Sequence, residues 1–231
     1  MRLANRDGTK RLHPWPVRVM HWVNAIAVIM MVGSGWRIYD NDPIFTQINF
    51  PVPVTLGGLP SLAYHLHGDG GFSNALLWHF TFMWLLVLNG VGYVAYGLIT
   101  GRFRRMWWPI RPREVVAAVI DALHLKLDHE DVTTYNAVQK AMYVGVLTAL
   151  IVIVAAGAAI WKPVQLHWLV ALFGGFQGAR LVHFLAMVAI VAFMTIHVIL
   201  ALLVPRTIKA MVFGGPRVPA SQPTAHLMAG E

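Results

Sequence analysis

The sequence predicts an all-α integral membrane protein, a bundle of four transmembrane helices with both termini cytoplasmic. Three observations carry that expectation. Of the 231 residues, 57% are hydrophobic and only 12% charged, and the mean hydropathy is +0.59, which leaves too little polar surface for an ordinary soluble domain. Four apolar stretches, at about 17–38, 75–98, 138–161 and 181–204, reach the length of about 20 helical residues that a hydrocarbon core requires. Positive charge is also one-sided. Arg2, Arg6, Lys10, Arg11 and Arg18 precede or open the first stretch, seven Lys or Arg lie between the second and third or, as Lys140, open the third, and Arg206, Lys209 and Arg217 follow the fourth. These make 15 of the 18 basic residues, against Arg37, Lys162 and Arg180 on the other side. By the cytoplasmic bias of Lys and Arg, both termini face inward.

The same distribution disposes of nucleic acid as a partner, because a net charge of +8 is accounted for by membrane topology. The first apolar run follows a basic stretch as a signal peptide does, but Gly33-Ser34-Gly35-Trp36-Arg37 is unlike a small-x-small cleavage site, so the run is read as retained. There is no cysteine. That excludes thiolate-held iron–sulfur clusters, covalent haem attachment and disulfides, and leaves histidine or methionine to hold any redox centre.

In chain order, residues 1–16 form a basic cytoplasmic arm ending in His13-Pro14-Trp15-Pro16, where two prolines interrupt regular structure. The membrane domain is expected over 17–208. Its first outer loop, Tyr39 to Ser73, is rich in Pro and Gly and long for a mere connector, which makes it a candidate docking surface. After the second span, residues 112–131 place Val115, Val116, Val119, Ile120, Leu123 and Leu127 at helical spacing opposite Arg113, Glu114, Asp121 and Asp128. This is the pattern of a short amphipathic helix lying on membrane lipid, or of a helix that binds a partner. The second outer connector, 164–180, has an apolar centre suited to the interface, and residues 209–231 read as a cytoplasmic tail without apolar period. Tryptophans near the span ends, among them Trp15, Trp36, Trp78, Trp161 and Trp168, suit headgroup-level anchors.

Four histidines lie inside the apolar spans: His21, His79, His183 and His197. Hydrocarbon gives an imidazole no partner, so such a residue is functional by default, and haem iron supplies what the bilayer does not. The first span runs inward to outward and the second and fourth the reverse, which puts His21 at the inner level and His79 and His183 at the outer. His197 follows His183 by 14 residues, about 21 Å along a helix and within about 40° of whole turns, which returns it to the inner level on the same face. Two level pairs result, His21 with His197 and His79 with His183, one for each of two stacked b haems. Gly33, Gly35, Gly90, Gly92 and Gly157 remove side chains where a macrocycle or a neighbouring helix approaches. Arg18, Arg37, Arg180 and Arg206 stand at span ends, suited either to haem propionates or to snorkelling. His65 and His67, beside Asp69, read as surface loop residues, with a metal site or a partner contact as the alternative.

The run Pro16-Val17-Arg18-Val19-Met20-His21-Trp22, followed by Gly33-Ser34-Gly35, the His-x13-His of the fourth span and Tyr135-Asn136-Ala137-Val138-Gln139-Lys140, resembles the bacterial cytochrome b561 family over about residues 14–208. That family includes the b-type subunits of nickel–iron hydrogenases and the gamma subunits of formate dehydrogenase. The resemblance implies two haems b and electron transfer across the bacterial inner membrane between a quinone and a periplasmic redox protein: a hydrogenase, a formate dehydrogenase or a molybdenum oxidoreductase. It also implies a quinone contact at Asn136, with Gln139 and Lys140 beside it. Val138 departs from the family's glycine, and Asn136 as a helix cap is the plainer alternative. Two rivals stay open: a stand-alone superoxide:quinone oxidoreductase, which would give the chain an enzymatic activity of its own, and a haem-free transporter or assembly protein. Oligomeric state and direction of electron flow are not fixed by the sequence.

Overall fold

A computed structural model describes residues 9–11, 13–56, 71–101, 137–215 and 217–219. Four long helices dominate: α1 (Trp15–Asn41), α2 (Phe72–Ile99), α3 (Ala137–Trp161) and, after a short α4 (His167–Leu172), α5 (Phe176–Leu203). Each of the four is long and apolar enough to cross a membrane. Their outward residues are aliphatic: Leu77 is 67% exposed, Leu88 66% and Ile151 70%. In water such a surface would be a large uncovered apolar patch; a bilayer makes it the ordinary one.

The described chain forms two compact units. The first comprises the described parts of Val19–Tyr93 and Val152–Val188. Here all four long helices meet. Small buried residues, Ala27 on α1, Ala75 on α2, Ala156 and Ala159 on α3, and Ala179 and Ala186 on α5, allow the backbones to approach closely, as membrane helices require. Aromatic rings fill the gaps: Phe80 meets Trp161 at 5.2 Å between centroids, and Tyr39 stacks on Phe184 at 4.9 Å.

Beyond α1, residues 42–56 form a strap that turns back along its own helix. Arg180 of α5 holds Asp42 through an ion pair of 3.0 Å and donates to the Asp42 carbonyl. Phe45 leans on Phe184, and Phe50 stacks on Trp36 at 4.6 Å. A single 3-10 turn, Val52–Val54, follows, and Leu56 N–H then donates to the Gly33 carbonyl at 2.9 Å. A Cβ on Gly33 would lie 3.0 Å from the Leu56 side chain, so the glycine is what lets the strap reach this depth.

The second unit comprises the described parts of Met1–Arg18, Val94–Ile151 and Ala189–Glu231. Pro205 stops α5 at Leu203 because it disfavours helix in the residue before it. It then opens α6 (Pro205–Phe213), which Gly214 ends at φ 101°. Strand β1 (Thr9–Arg11) pairs antiparallel with β2 (Arg217–Pro219), and His13 N–H donates to the Gly214 carbonyl at 3.1 Å.

Two boundaries differ from the sequence expectation. Residues 209–213 belong to α6, and 217–219 to a ribbon with the N-terminal arm, where a featureless tail was expected from 209 onward. One amphipathic turn and three paired residues leave almost no period to read. The fourth long helix begins at Phe176 and not near 181, because Gly174 and Gly175 take φ of 77° and 98° and complete the turn early. The expected amphipathic helix over 112–131, together with His65 and His67, lies outside the described residues.

Candidate functional site

The outer pair of histidines comes together in the first unit. Their rings, His79 from α2 and His183 from α5, stand with centroids 6.3 Å apart and planes inclined at 59°. Each ring is fixed through Nδ1. Ser34, wholly buried, sends its one hydroxyl proton back to the Met30 carbonyl at 2.7 Å, a bond that a serine inside a helix makes readily. Its oxygen is left to accept from His79 Nδ1–H, at 3.1 Å. His183 Nδ1 lies 2.9 Å from the Ile153 carbonyl of α3; a carbonyl only accepts, so this nitrogen carries the proton. Both tautomers therefore leave the Nε2 lone pair as the available base.

Two glycines make room for the rings. A Cβ on Gly157 of α3 would stand 3.0 Å from His183 Cε1 and 3.3 Å from its Nδ1; one on Gly35 of α1 would stand 3.4 Å from His79 Cε1. Gly33 instead faces Leu56, Gly92 lies near Met20, and Gly90 meets nothing within 4 Å.

These residues fit an axially ligated haem. A metal lies about 2 Å from an imidazole nitrogen, which is itself roughly 1 Å from its ring centre, so two rings on opposite sides of one ion have centroids roughly 6 Å apart. The observed 6.3 Å meets that requirement. Nδ1–H bonds to a carbonyl and a hydroxyl are the outer partners expected of metal-ligating imidazoles. Among the described residues there is no group of three or more His, Asp or Glu side chains that would hold a metal ion instead.

The remaining expected ligands lie elsewhere on the same helices. His21 of α1, half-buried, meets the neighbouring Trp22 edge-on at 5.4 Å. His197 of α5, in the second unit, stacks with Phe193 at 5.6 Å and 11°. Of the arginines, Arg180 is engaged by Asp42 and Gln177. Arg18 donates through Nη1 to the Val212 carbonyl, while its buried Nε has no partner. Arg206 is exposed at the start of α6, and Arg37 sits near the end of α1. Gln139 and Lys140 belong to the first turn of α3, but their side chains, like all of Asn136, lie outside the described residues. The sequence reading missed Ser34 and Ile153 as partners of the rings. It also missed an amide pair inside the bundle: Asn89 of α2 donates to Asn24 Oδ1 at 2.7 Å and to the Met20 carbonyl at 2.8 Å.

Two imidazoles 6.3 Å apart with both Nδ1 atoms tied, set among apolar helices, are suited to a haem held within a membrane. The family model described as prokaryotic cytochrome b561 matches residues 12–214, and the chain belongs to that family. Its cofactor is accordingly a b-type haem, and its class of work is electron transfer in the membrane in the service of an oxidoreductase. It is 43% identical over 203 residues to a protein of Azospira oryzae described as a putative protein-methionine-sulfoxide reductase subunit, YedZ1, covering 88% of this chain and 96% of that one. It is also similar to the cytochrome b556 subunit of formate dehydrogenase of Escherichia coli K12, at 24% identity over 217 residues, covering 92% and 87% of the two chains.

Proposed function

We propose that the chain holds two haems b and carries electrons across the bacterial inner membrane, from a quinol on the cytoplasmic side to a periplasmic enzyme that reduces methionine sulfoxide in proteins. The observation that carries the reading is the close, tautomer-matched pair His79 and His183. The relative described as a methionine-sulfoxide reductase subunit supports the partner and, with it, the direction: reduction of a sulfoxide to a sulfide and water consumes two electrons, which oxidation of a quinol to a quinone supplies, and two protons taken from the periplasm, while the quinol's two protons leave on the cytoplasmic side.

Haem, when bound, supplies a one-electron couple at each site. The chain's residues do the rest. His79 and His183 hold the outer group, with Ser34 and the Ile153 carbonyl presenting Nε2 of each ring. His21 and His197 hold the inner one; the 14-residue spacing on one continuous helix, about 21 Å, supports two layers. Arg37 and Arg180 on the outer side, and Arg18 and Arg206 on the inner, supply positive charge for propionates. Asn136, Gln139 and Lys140 form the quinone contact at the inner entrance of α3. The excess of Lys and Arg on the inner side supports cytoplasmic termini, and the strap 42–56 then faces the periplasmic partner.

The test begins with pyridine extraction, expected to give two protohaems per chain. Purified protein in lipid should then be reduced by a quinol analogue and reoxidised only when the co-purified periplasmic subunit and a methionine-sulfoxide peptide are both present. Reoxidation that needs neither, or reduction by superoxide with no second subunit, would replace this reading with that of a stand-alone quinone oxidoreductase. Colourless, folded protein would end it.

A further inference from the structure

Asn24 and Asn89 have no place in the function so far, and they stand where a polar side chain is costly. Asn89 spends both amide hydrogens across the gap between α2 and α1, one on Asn24 Oδ1 at 2.7 Å and one on the Met20 carbonyl at 2.8 Å. Those two acceptors bracket His21, Met20 on one side of it in the chain and Asn24 three residues beyond. The helices also close up here: a Cβ on Gly92, one turn from Asn89, would lie 3.8 Å from Met20 Cε.

We propose that Asn89, acting through Asn24 and the Met20 carbonyl, is a positioning residue for His21, fixing the height and rotation of the helical turn that presents this imidazole to the inner haem. At the outer site Ser34 bonds to the ring itself; at the inner one Asn89 holds the backbone that carries the ring. Helix packing alone would need no amide here, since the apolar neighbours Ala27 and Leu86 supply it. The proposal rests on the two-haem reading above.

The test compares Asn89→Leu, the milder Asn24→Ser, the lipid-facing control Leu88→Ala and a His21→Ala reference that keeps only the outer haem, all purified in lipid. Asn89→Leu should bind the inner haem about 10-fold to 100-fold more weakly, the usual effect of losing an outer-shell partner. The haem it retains should match that of His21→Ala in midpoint potential and low-temperature electron paramagnetic resonance. Asn24→Ser should shift the same inner signal by less, and Leu88→Ala should leave both. Equal loss of both haems in Asn89→Leu with no inner-site shift in Asn24→Ser, or two haems with unchanged potentials and spectra, would overturn the proposal. A wild-type chain without a second haem would overturn the parent reading, and this one with it, before any variant is made.

Discussion

The rings of His79 and His183 stand 6.3 Å apart, yet the two sides of the site are built differently. On the α1 side the ring is held by the Ser34 hydroxyl together with the Met31 carbonyl, and backs onto Gly35 with ordinary clearance. On the α3 side it is held by a backbone carbonyl, Ile153, and presses against Gly157 at a distance that real Cβ atoms barely tolerate. A carbonyl cannot be removed by substitution, so the α3 side is fixed by shape; the α1 side combines the Met31 carbonyl with the Ser34 hydroxyl, and only the hydroxyl can be tuned. Hydrogen bonding to Nδ1 raises the basicity of the ligating nitrogen, and a carbonyl whose own helix shares it differs in strength from a hydroxyl already polarised by donating to Met30. On the proposed ligation, the two imidazoles are therefore unequal as ligands.

That inequality can be broken from either side. The largest effect belongs to His183→Ala, which should abolish the outer haem and leave at most one haem per chain by pyridine extraction. Next comes the contrast between the glycines. Gly157→Ala should displace the His183 ring from the Ile153 carbonyl and lower outer haem retention severalfold, whereas Gly35→Ala should retain both haems, as a haem-loss assay against apomyoglobin would read. Ser34→Ala leaves His79 with the Met31 carbonyl alone, at a cost of about 1 kcal/mol; the outer haem's midpoint potential should rise relative to wild type, while Ser34→Thr should keep the wild-type value. The smallest effect is expected of Asp42→Asn, because the ion pair with Arg180 is largely exposed on the aspartate side and pairs of that kind contribute about 1 kcal/mol or less. Thermal unfolding in detergent should move by a degree or two, with haem content unchanged.

Much of this was legible in the sequence for simple reasons. Runs of apolar residues of bilayer length have few alternatives, and an imidazole in hydrocarbon calls for a partner, so the four spans and the outer pair His79 and His183 follow from composition and topology. The tethers did not. Ile153 contributes a main-chain atom, which no side-chain pattern announces, and Ser34 reads as a small residue in a glycine-rich turn until its proton is traced to Met30. Asn24 and Asn89 were missed for a different reason: the rule that singled out histidines applies equally to amides in a span, and following it would have found them. The early start of α5 was hidden by Gln177 and Arg180, polar residues that end an apolar window but face Asp42 and each other.

Three successive residues of α1 serve two masters. The Gly33 carbonyl takes the strap through Leu56, Ser34 takes the imidazole, and Gly35 clears space for that same ring. A turn so occupied has no slack, and an epitope tag or domain fused between Asn41 and Leu56 would pull on the floor beneath His79. The outer connector at Val164, 80% exposed and remote in sequence from that turn, is the better place for one.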